Sequence, residues 1–460
     1  MNDRATPRGP APGSYYQKEL ASDSRPVPPA LKDVSPVNMP FDEIPVAHYT
    51  SREHYEREVD LLWKQTWQWA CREEQIPHVG DTHVYEISRM SILIVRTAPD
   101  TIKAYHNVCL HRGRRLRDYG GNTEELRCSY HGFCWNLDGT FKSMPSPWDL
   151  PHIDCDHFDL PEVKVGTWGG FVFINMNENA APLAQTLGVI PEHFERWKLE
   201  DRCIIANVSK VMRCNWKVAQ EGFQDSWHVG ATHPQATASF GVITGQYDIF
   251  GPVSRTLTAQ MAESLPFLGR RPSEQEKYDA MSMQYLTGAE PRQVPEGMRA
   301  RTFAANEARR MLAPVVGQEV ANSYSDAELV DSIWYTVFPN MALWGGAGAK
   351  MQYRWRPYED RHDMSVMDII VIAPFSGERP APAPNHFLRV DQPWTDAPEL
   401  GGLGRFEDQD TFNLEAVQVG LNATVRKTVY LAKYQESRIR HFHHMASQLT
   451  GDNFGAGKDE

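Results

Sequence analysis

Asp225, His228 and His233 are the residues of this chain whose types and spacing best suit a transition metal. They lie in the stretch 215–233, which opens Asn215-Trp216-Lys217 and closes Trp227-His228-Val229-Gly230-Ala231-Thr232-His233. Asp225 and His228 are three apart, so on a helix they would share one face. Gly230 loosens or ends that helix before His233. Two imidazoles and one carboxylate, with open positions left over, form the ligand set of a non-haem iron(II) site that handles O₂. Taken alone, the stretch equally suits a helix with two solvent-facing histidines.

A second constellation lies upstream. Cys109-Leu110-His111 is followed by Cys128-Ser129-Tyr130-His131, with sixteen residues between His111 and Cys128. Cys-x-His and Cys-x-x-His on two loops can hold one metal or one cluster. A structural zinc site would close a tetrahedron with the two cysteines and two histidines. A Rieske [2Fe–2S] centre puts the cysteines on one iron and the histidines on the other, which raises its potential above that of all-cysteine plant-type clusters. Two features favour the Rieske reading. Each loop continues in a glycine, as His111-Arg112-Gly113 and His131-Gly132-Phe133. Cys-x-His is also shorter than the usual C-x₂₋₄-C or H-x₃₋₅-H zinc pairs.

At these residues the chain resembles the Rieske non-haem iron oxygenases, in their ring-hydroxylating α (large) subunits. The likeness rests on Cys109-x-His111-Arg112-Gly113, Cys128-x-x-His131-Gly132 and the pattern from Asn215-Trp216-Lys217 to His233. It reaches Phe338-Pro339-Asn340 and the acids near 410, so it covers about 45–445. The resemblance implies a cluster on Cys109, His111, Cys128 and His131, and a mononuclear Fe(II) on His228, His233 and a C-terminal carboxylate. In Phe406-Glu407-Asp408-Gln409-Asp410, Asp410 best fits that place, with Asp408 and Glu407 as competitors. It also implies that Asp225 links His228 to His131 of the partner subunit, fixing both imidazoles; an orienter within one subunit is the alternative. Phe223 and Phe406 match positions that face substrate in relatives, and core packing is the alternative for both. Gly222 departs from the pattern, since many relatives carry Asn there; its lack of a side chain would widen the pocket beside the iron.

The activity so implied is that of the oxygenase component of a multicomponent system, with O₂ and a small organic substrate. The first expectation is cis-dihydroxylation of an aromatic or polycyclic apolar compound. A monooxygenase or an O- or N-demethylase on the same scaffold is the alternative, and a pure electron carrier the third. No Gly-x-Gly-x-x-Gly follows a strand, so NADH is expected to act only through a separate reductase, with or without a ferredoxin. The basic loop 111–117 could dock such a donor. A homotrimer or an α₃β₃ assembly is expected, because a head-to-tail ring brings the cluster of one chain to the iron of the next.

The elements that position these residues follow from the pattern. The expected fold is α+β: an all-β Rieske domain, then a catalytic domain with an antiparallel sheet flanked by helices. Residues 1–45 read as an extended arm, 46–180 as the Rieske domain with a leading helix, 181–450 as the catalytic domain and 451–460 as a tail. Short β-rich runs at 83–87, 91–96, 102–105 and 169–176 frame the two metal loops. Further strands are expected at 204–212, 333–338, 342–344, 352–355 and 364–372. Residues 408–450 read as one long helical segment, and His441, His443 and His444 as its solvated end. Residues 262–330 form a helical insert with capping boxes at Ser273–Glu276 and Ser325–Glu328. Its apolar residues Phe267, Met281, Met283, Tyr285 and Leu286 favour a cover over the iron pocket.

The bulk numbers bound the partners. The 460 residues carry a formal charge of −12 and are 41% hydrophobic, enough for a large core but against nucleic acid or an anionic membrane as a partner. No run of eighteen apolar residues occurs, and the first sixteen residues lack the apolar core of a secretory signal, so a cytoplasmic protein is expected. Seven cysteines, an odd number, argue against a disulfide framework. Cys71, Cys134, Cys155, Cys203 and Cys214 have no metal-pair spacing and read as structural.

Overall fold

The computed structural model describes residues 14–35, 43–241, 244–262, 271–285 and 292–452, without the side chains of 282–285. Phe267 and Leu286 therefore lie outside the described residues, as do the side chains of Met283 and Tyr285. The N-terminal arm is not extended throughout. It forms α1 (Ser14–Leu20) and α2 (Pro29–Lys32), which lie on the catalytic domain. Tyr16 is fully buried there and donates to Asp331 at 3.1 Å.

The leading helix α3 (Arg52–Glu58) is capped by Ser51, whose side chain accepts from the His54 N–H. It feeds a β domain of β1 (Gln68–Arg72), β2 (Asp81–Ile87), β3 (Met90–Ala98), β4 (Thr101–His106), β5 (Gly121–Asn122), β6 (Leu126–Arg127), β7 (Cys134–Trp135), β8 (Phe141–Ser143), β9 (Glu162–Trp168) and β10 (Phe171–Asn175). Seven of these form one sheet in the order β1-β10-β9-β4-β3-β2-β5, and β6-β7-β8 form a small second sheet. β1, at one edge of the larger sheet, and β10 beside it are buried along their whole length.

The catalytic domain begins with β11 (Arg202–Met212), followed by α4 (Trp216–Glu221), α5 (Val229–Thr232), β12 (Gln246–Phe250) and β13 (Val253–Thr258). The insert then supplies α6 (Glu274–Tyr285), α7 (Ala300–Val316) and α8 (Asp326–Val330). The chain returns as β14 (Ser332–Val337), β15 (Met341–Trp344), β16 (Lys350–Pro357), β17 (Ser365–Pro374) and β18 (His386–Leu388), and ends in α9 (Leu403–Ala423) and α10 (Ser437–Thr450). Eight strands make one sheet, β12-β13-β14-β15-β16-β17-β11-β18, antiparallel except for the β11–β18 pair. Its β16 turns Tyr353 and Trp355 toward Leu414 of α9 in one core cluster. The fold class is therefore α+β, as the strand and helix signals predict. Both capping boxes form: Ser273 with Glu276, and Ser325 with Glu328.

Two expectations at the C-terminus are corrected. Residues 408–450 are not one helical segment. α9 stops at Ala423, where Thr424 turns extended, and Thr428–Val429 pairs with Ile44–Pro45 as a two-residue ladder. Nor is the histidine run solvated. His443 is 1% exposed and His441 7%. His443 Nε2 lies 2.6 Å from Glu221 and 3.0 Å from the Tyr49 hydroxyl. The helix is buried because Phe442 enters a core shared with the β domain.

That shared core ties the domains together, and α4 is its hinge point. Trp216 packs edge-on against Trp63 at 4.7 Å. Lys217, 1% exposed, donates to Glu58 of α3 at 2.5 Å, and the Trp216 indole N–H donates to the same carboxylate at 3.2 Å. Burial would raise Glu58, but the Lys217 ammonium outweighs it and brings the carboxyl down to about 2. This stability is present above the ordinary carboxyl value and is lost as pH falls toward 2. Lys217→Met leaves Glu58 buried with only His54, at 3.2 Å, and the Trp216 indole as partners. It is expected to cost about 3–5 kcal/mol, read as a lower denaturation midpoint with an unchanged slope.

Candidate active site

The two cysteine–histidine loops share one backbone design. In the first, the Cys109 N–H donates to Arg114 O and the Gly113 N–H to Cys109 O. In the second, the Cys128 N–H donates to Phe133 O and the Gly132 N–H to Cys128 O. Gly113 and Gly132 have φ of 76° and 80°, the left-handed conformation that closes each loop at no steric cost. Cys109 and Cys128 are buried, and burial pushes the Cys109 thiol above its ordinary value. The His111 and His131 rings lie 4.7 Å apart, and His111 stacks on Phe133 at 4.5 Å. His111 Nδ1 is buried with no hydrogen-bond partner. A buried imidazole nitrogen left bare beside two buried thiols fits a metal ligand set rather than a packed core. The basic loop is partly engaged: Arg114 binds Asp118 at 2.6 Å and Arg115 binds Glu86 at 3.0 Å, while Arg112 lies over the Tyr130 ring.

The second site is built on α4, α5 and α9. Asn215 caps α4 by accepting from the Lys217 N–H. Asp225 and His228 do not share a helix face, contrary to the expectation. α4 ends at Glu221, and Asp225 lies in the turn before α5. Its Oδ1 accepts from the Trp227 N–H at 2.5 Å, the His228 N–H at 2.9 Å and His228 Nδ1 at 3.2 Å. A short acidic side chain that captures its own downstream N–H groups makes a turn in place of a helix.

His228 and His233 flank α5 and point their Nε2 atoms at one carboxylate. Asp410 Oδ1 lies 3.1 Å from His233 Nε2 and 3.6 Å from His228 Nε2. The three donor atoms lie within 4.8 Å of one another, close enough to hold one metal ion. Behind them, His228 Nδ1 faces Asp225 and His233 Nδ1 faces Gln409 Oε1 at 2.8 Å. These partners hold the Nδ1 protons and leave each Nε2 lone pair free for a metal. Burial lowers His228, but the Asp225 and Asp410 carboxylates override it and lift the imidazole to about 9. Asp408, a competitor for the ligand role, is spent elsewhere: its carboxylate accepts from the Trp394 N–H and the Thr395 hydroxyl. Glu407 faces the pocket and accepts from the Tyr353 hydroxyl at 3.0 Å.

Between these ligands and the sheet lies a pocket of about 100 Å³. Its walls are aromatic. Trp334 stacks on Tyr353 at 5.5 Å, Phe223 meets Tyr353 at 5.2 Å, Trp344 meets Trp334 at 4.8 Å, and Phe406 lies 4.9 Å from His233. The indole nitrogens of Trp334 and Trp344 and Glu407 Oε2 are buried without hydrogen-bond partners. Burial, reinforced by Asp410, pushes the Glu407 carboxyl well above the ordinary range. Phe223 and Phe406 both line this pocket, and so does Gly222. A Cβ at Gly222 would meet Leu414 Cδ2 at 2.8 Å, so its bareness also serves the contact between α4 and α9. Sequence reasoning missed Gln409, Trp334, Trp344 and Tyr353. Gln409 adjoins Asp410 in sequence, while the aromatic wall carries only a strand pattern and no motif.

The comparisons with known proteins agree with this anatomy. A family model described as the ring hydroxylating alpha subunit (catalytic domain) matches residues 192–451, and one for the Rieske [2Fe-2S] domain matches 66–154. The carnitine monooxygenase oxygenase subunit of Escherichia coli (strain K12) is 28% identical over 200 residues, 42% of this chain and 52% of that protein. The biphenyl 2,3-dioxygenase subunit alpha of Rhodococcus jostii (strain RHA1) is 30% identical over 191 residues, 40% of this chain and 42% of that protein. The chain thus spans about half the length of the curated relatives it matches. Among solved structures, a quaternary ammonium Rieske monooxygenase in complex with L-carnitine shares the fold with a TM-score of 0.64 at 17% identity, covering 91% of this chain and 99% of that one. Naphthalene 1,2-dioxygenase with indole bound in the active site shares it with a TM-score of 0.60 at 17% identity, covering 92% and 94%. Among the described residues no helix is long and apolar enough to cross a membrane. With the catalytic-domain match spanning more than half of its length and the cluster-domain match ahead of it, the chain belongs to the ring-hydroxylating alpha subunits, the Rieske non-haem iron oxygenases.

Proposed function

We propose that this chain is the oxygenase component of a multicomponent monooxygenase that acts on the small, methyl-bearing head of an organic substrate. In this reading residues 46–180 carry the cluster on Cys109, His111, Cys128 and His131. Residues 181–450 carry the iron on His228, His233 and Asp410. The observation that carries it is the convergence of two Nε2 atoms on Asp410 Oδ1, beside an aromatic pocket. When bound, the cluster and the iron supply stored electrons and dioxygen activation, with open coordination positions for O₂.

The chain's own residues supply the rest. Asp225 and Gln409 keep the Nδ1 protons in place and the imidazoles aimed. The rings of Phe223, Trp334, Tyr353 and Phe406 exclude water and hold the head against the ligand cluster. Asp225 in one chain faces His131 of the partner subunit in a head-to-tail trimer, with electrons delivered by a separate reductase or ferredoxin. A structurally similar quaternary ammonium Rieske monooxygenase has been described with inter-subunit electron transfer.

The substrate class is a revision of the first expectation. A pocket of about 100 Å³ suits a head of a few atoms better than a polycycle. Aromatic faces with a carboxyl beside them suit a methylated ammonium, which the ring faces attract. The names of several relatives, carnitine and glycine betaine monooxygenases, support the same class. Ring dihydroxylation stays as the second reading, supported by the biphenyl 2,3-dioxygenase relative. Turnover under ¹⁸O₂ with a methylammonium and an aromatic substrate separates them. One labelled oxygen per product from the methylammonium is expected. Two labelled atoms in a diol from the aromatic, with no reaction of the methylammonium, would reverse the assignment.

A further inference from the structure

A second cavity, of about 430 Å³, adjoins the aromatic pocket and shares Trp344, Met351 and Leu403 with it. Its outer wall comes from the helical insert: Met281 on α6, Met311 and Leu312 on α7, and Leu329 just before β14. Leu400 lines it too, from the turn before α9. Three charged residues border it, and two are committed elsewhere. Asp331 is bound by Arg301 and Tyr16, and the exposed Glu399 by His386. Lys350 borders it at the start of β16. Beside the buried Lys350, what remains is aliphatic, thioether and Trp344 ring surface, which adapts to irregular apolar shapes.

The space is a cleft with Met311 and Glu399 exposed at its rim, about four times the volume of the neighbouring pocket and lined largely by apolar side chains, as ligand sites are. Trp344, Met351 and Leu403 form the partition between the two spaces, and two of the three, Met351 and Leu403, have flexible side chains that can turn aside. We propose that this cavity holds the apolar tail of the substrate whose head sits in the aromatic pocket. The substrate is then an amphiphile, with a compact head at the metal ligands and a hydrocarbon tail along α6 and α7. This rests on the aromatic pocket being the reaction site, and it gives the insert its purpose: a wall for the tail rather than a decoration.

The test is binding to the metal-loaded protein without reductant, so that no turnover is needed. Two probe series are titrated below their aggregation limits: n-alkyltrimethylammonium ions from methyl to dodecyl, and n-alkylbenzenes of the same tails. Affinity is expected to rise about fourfold per methylene and then level off when the cavity is full. In Ala308→Trp, which fills the cavity from α7, the plateau is reached at shorter tails. Met311→Trp provides an independent second filling, and thermal midpoints confirm that both variants are folded. Affinity independent of tail length in both series overturns the proposal, as does an unchanged plateau in both folded variants. A rise confined to the alkylbenzenes supports the tail site and removes the cationic head from the proposed function. A rise with tail length combined with a failed ¹⁸O₂ assay separates the binding claim from the reaction claim.

Discussion

Asp410→Ala is expected to strip the mononuclear iron, abolish turnover and leave the cluster untouched. Among the described residues, Asp410 Oδ1 is the carboxylate oxygen that meets both Nε2 atoms, at 3.1 and 3.6 Å. Without it two neutral imidazoles must hold a divalent ion with no balancing charge, in a site where Asp410 and His233 are both buried. Iron per chain should fall from about three to about two, and the visible spectrum of the cluster should persist. The loss of turnover should exceed the roughly 100-fold typical when only the partner behind a ligand is removed. The neighbouring acids are the controls. Asp408→Ala gives up the bonds to Trp394 and Thr395, so it should lower stability yet keep three irons. Glu407→Gln keeps a polar group beside Tyr353 and should also keep three irons. Full iron content and activity in Asp410→Ala, with loss in either control, would move the third ligand to that residue.

Asp225→Asn is expected to retain all three irons while turnover falls about 10–100-fold. The substitution preserves the side-chain oxygen that accepts from the Trp227 and His228 backbones, so the turn before α5 survives. What it removes is the negative charge at His228 Nδ1. That charge raises the basicity of the imidazole and would link it to a cluster histidine across a subunit interface. Asp225→Ala removes the turn as well, so it should loosen His228 and lose iron in addition. Comparing the two separates charge from shape. The readouts are iron content, the cluster spectrum and single-turnover product with pre-reduced protein. A wild-type rate in Asp225→Asn with a saturating donor would show that the charge has no part in turnover.

Much of the anatomy was legible from local patterns. Cys109-x-His111 and Cys128-x-x-His131 specify their loops because each motif and its closing glycine lie within a few residues. Gly113 and Gly132 do adopt the positive φ that such loops require. The two capping boxes and the strand runs were legible for the same reason: a cap is a three-residue geometry, and a strand pattern repeats every second residue. The histidine pair at 228 and 233 was legible as metal chemistry, although not as a helix face, because the Asp225 side chain redirects the backbone.

The rest was decided by contacts between distant segments. Residues 407, 408 and 410 are three acids in four positions, and composition cannot rank them. The helix turns each one to a different neighbour: Glu407 to Tyr353, Asp408 to Trp394, and Asp410 to histidines nearly two hundred residues earlier. Gly222 lines the pocket, but that its bareness also admits Leu414 from α9 is visible only in the fold. His443 read as solvated, but its helix lies against Glu221 and Tyr49. The single helix expected over 408–450 was broken by a ladder with Ile44–Pro45, which no local propensity encodes. The aromatic wall and the adjoining cavity arise only when β14, β15 and β16 lie side by side under the insert. Local sequence specifies what neighbouring atoms dictate, namely turns, caps and ligand loops. Which of several equivalent side chains faces a metal, and how much space is left beside it, depends on the packing of segments that the chain brings together only when it folds.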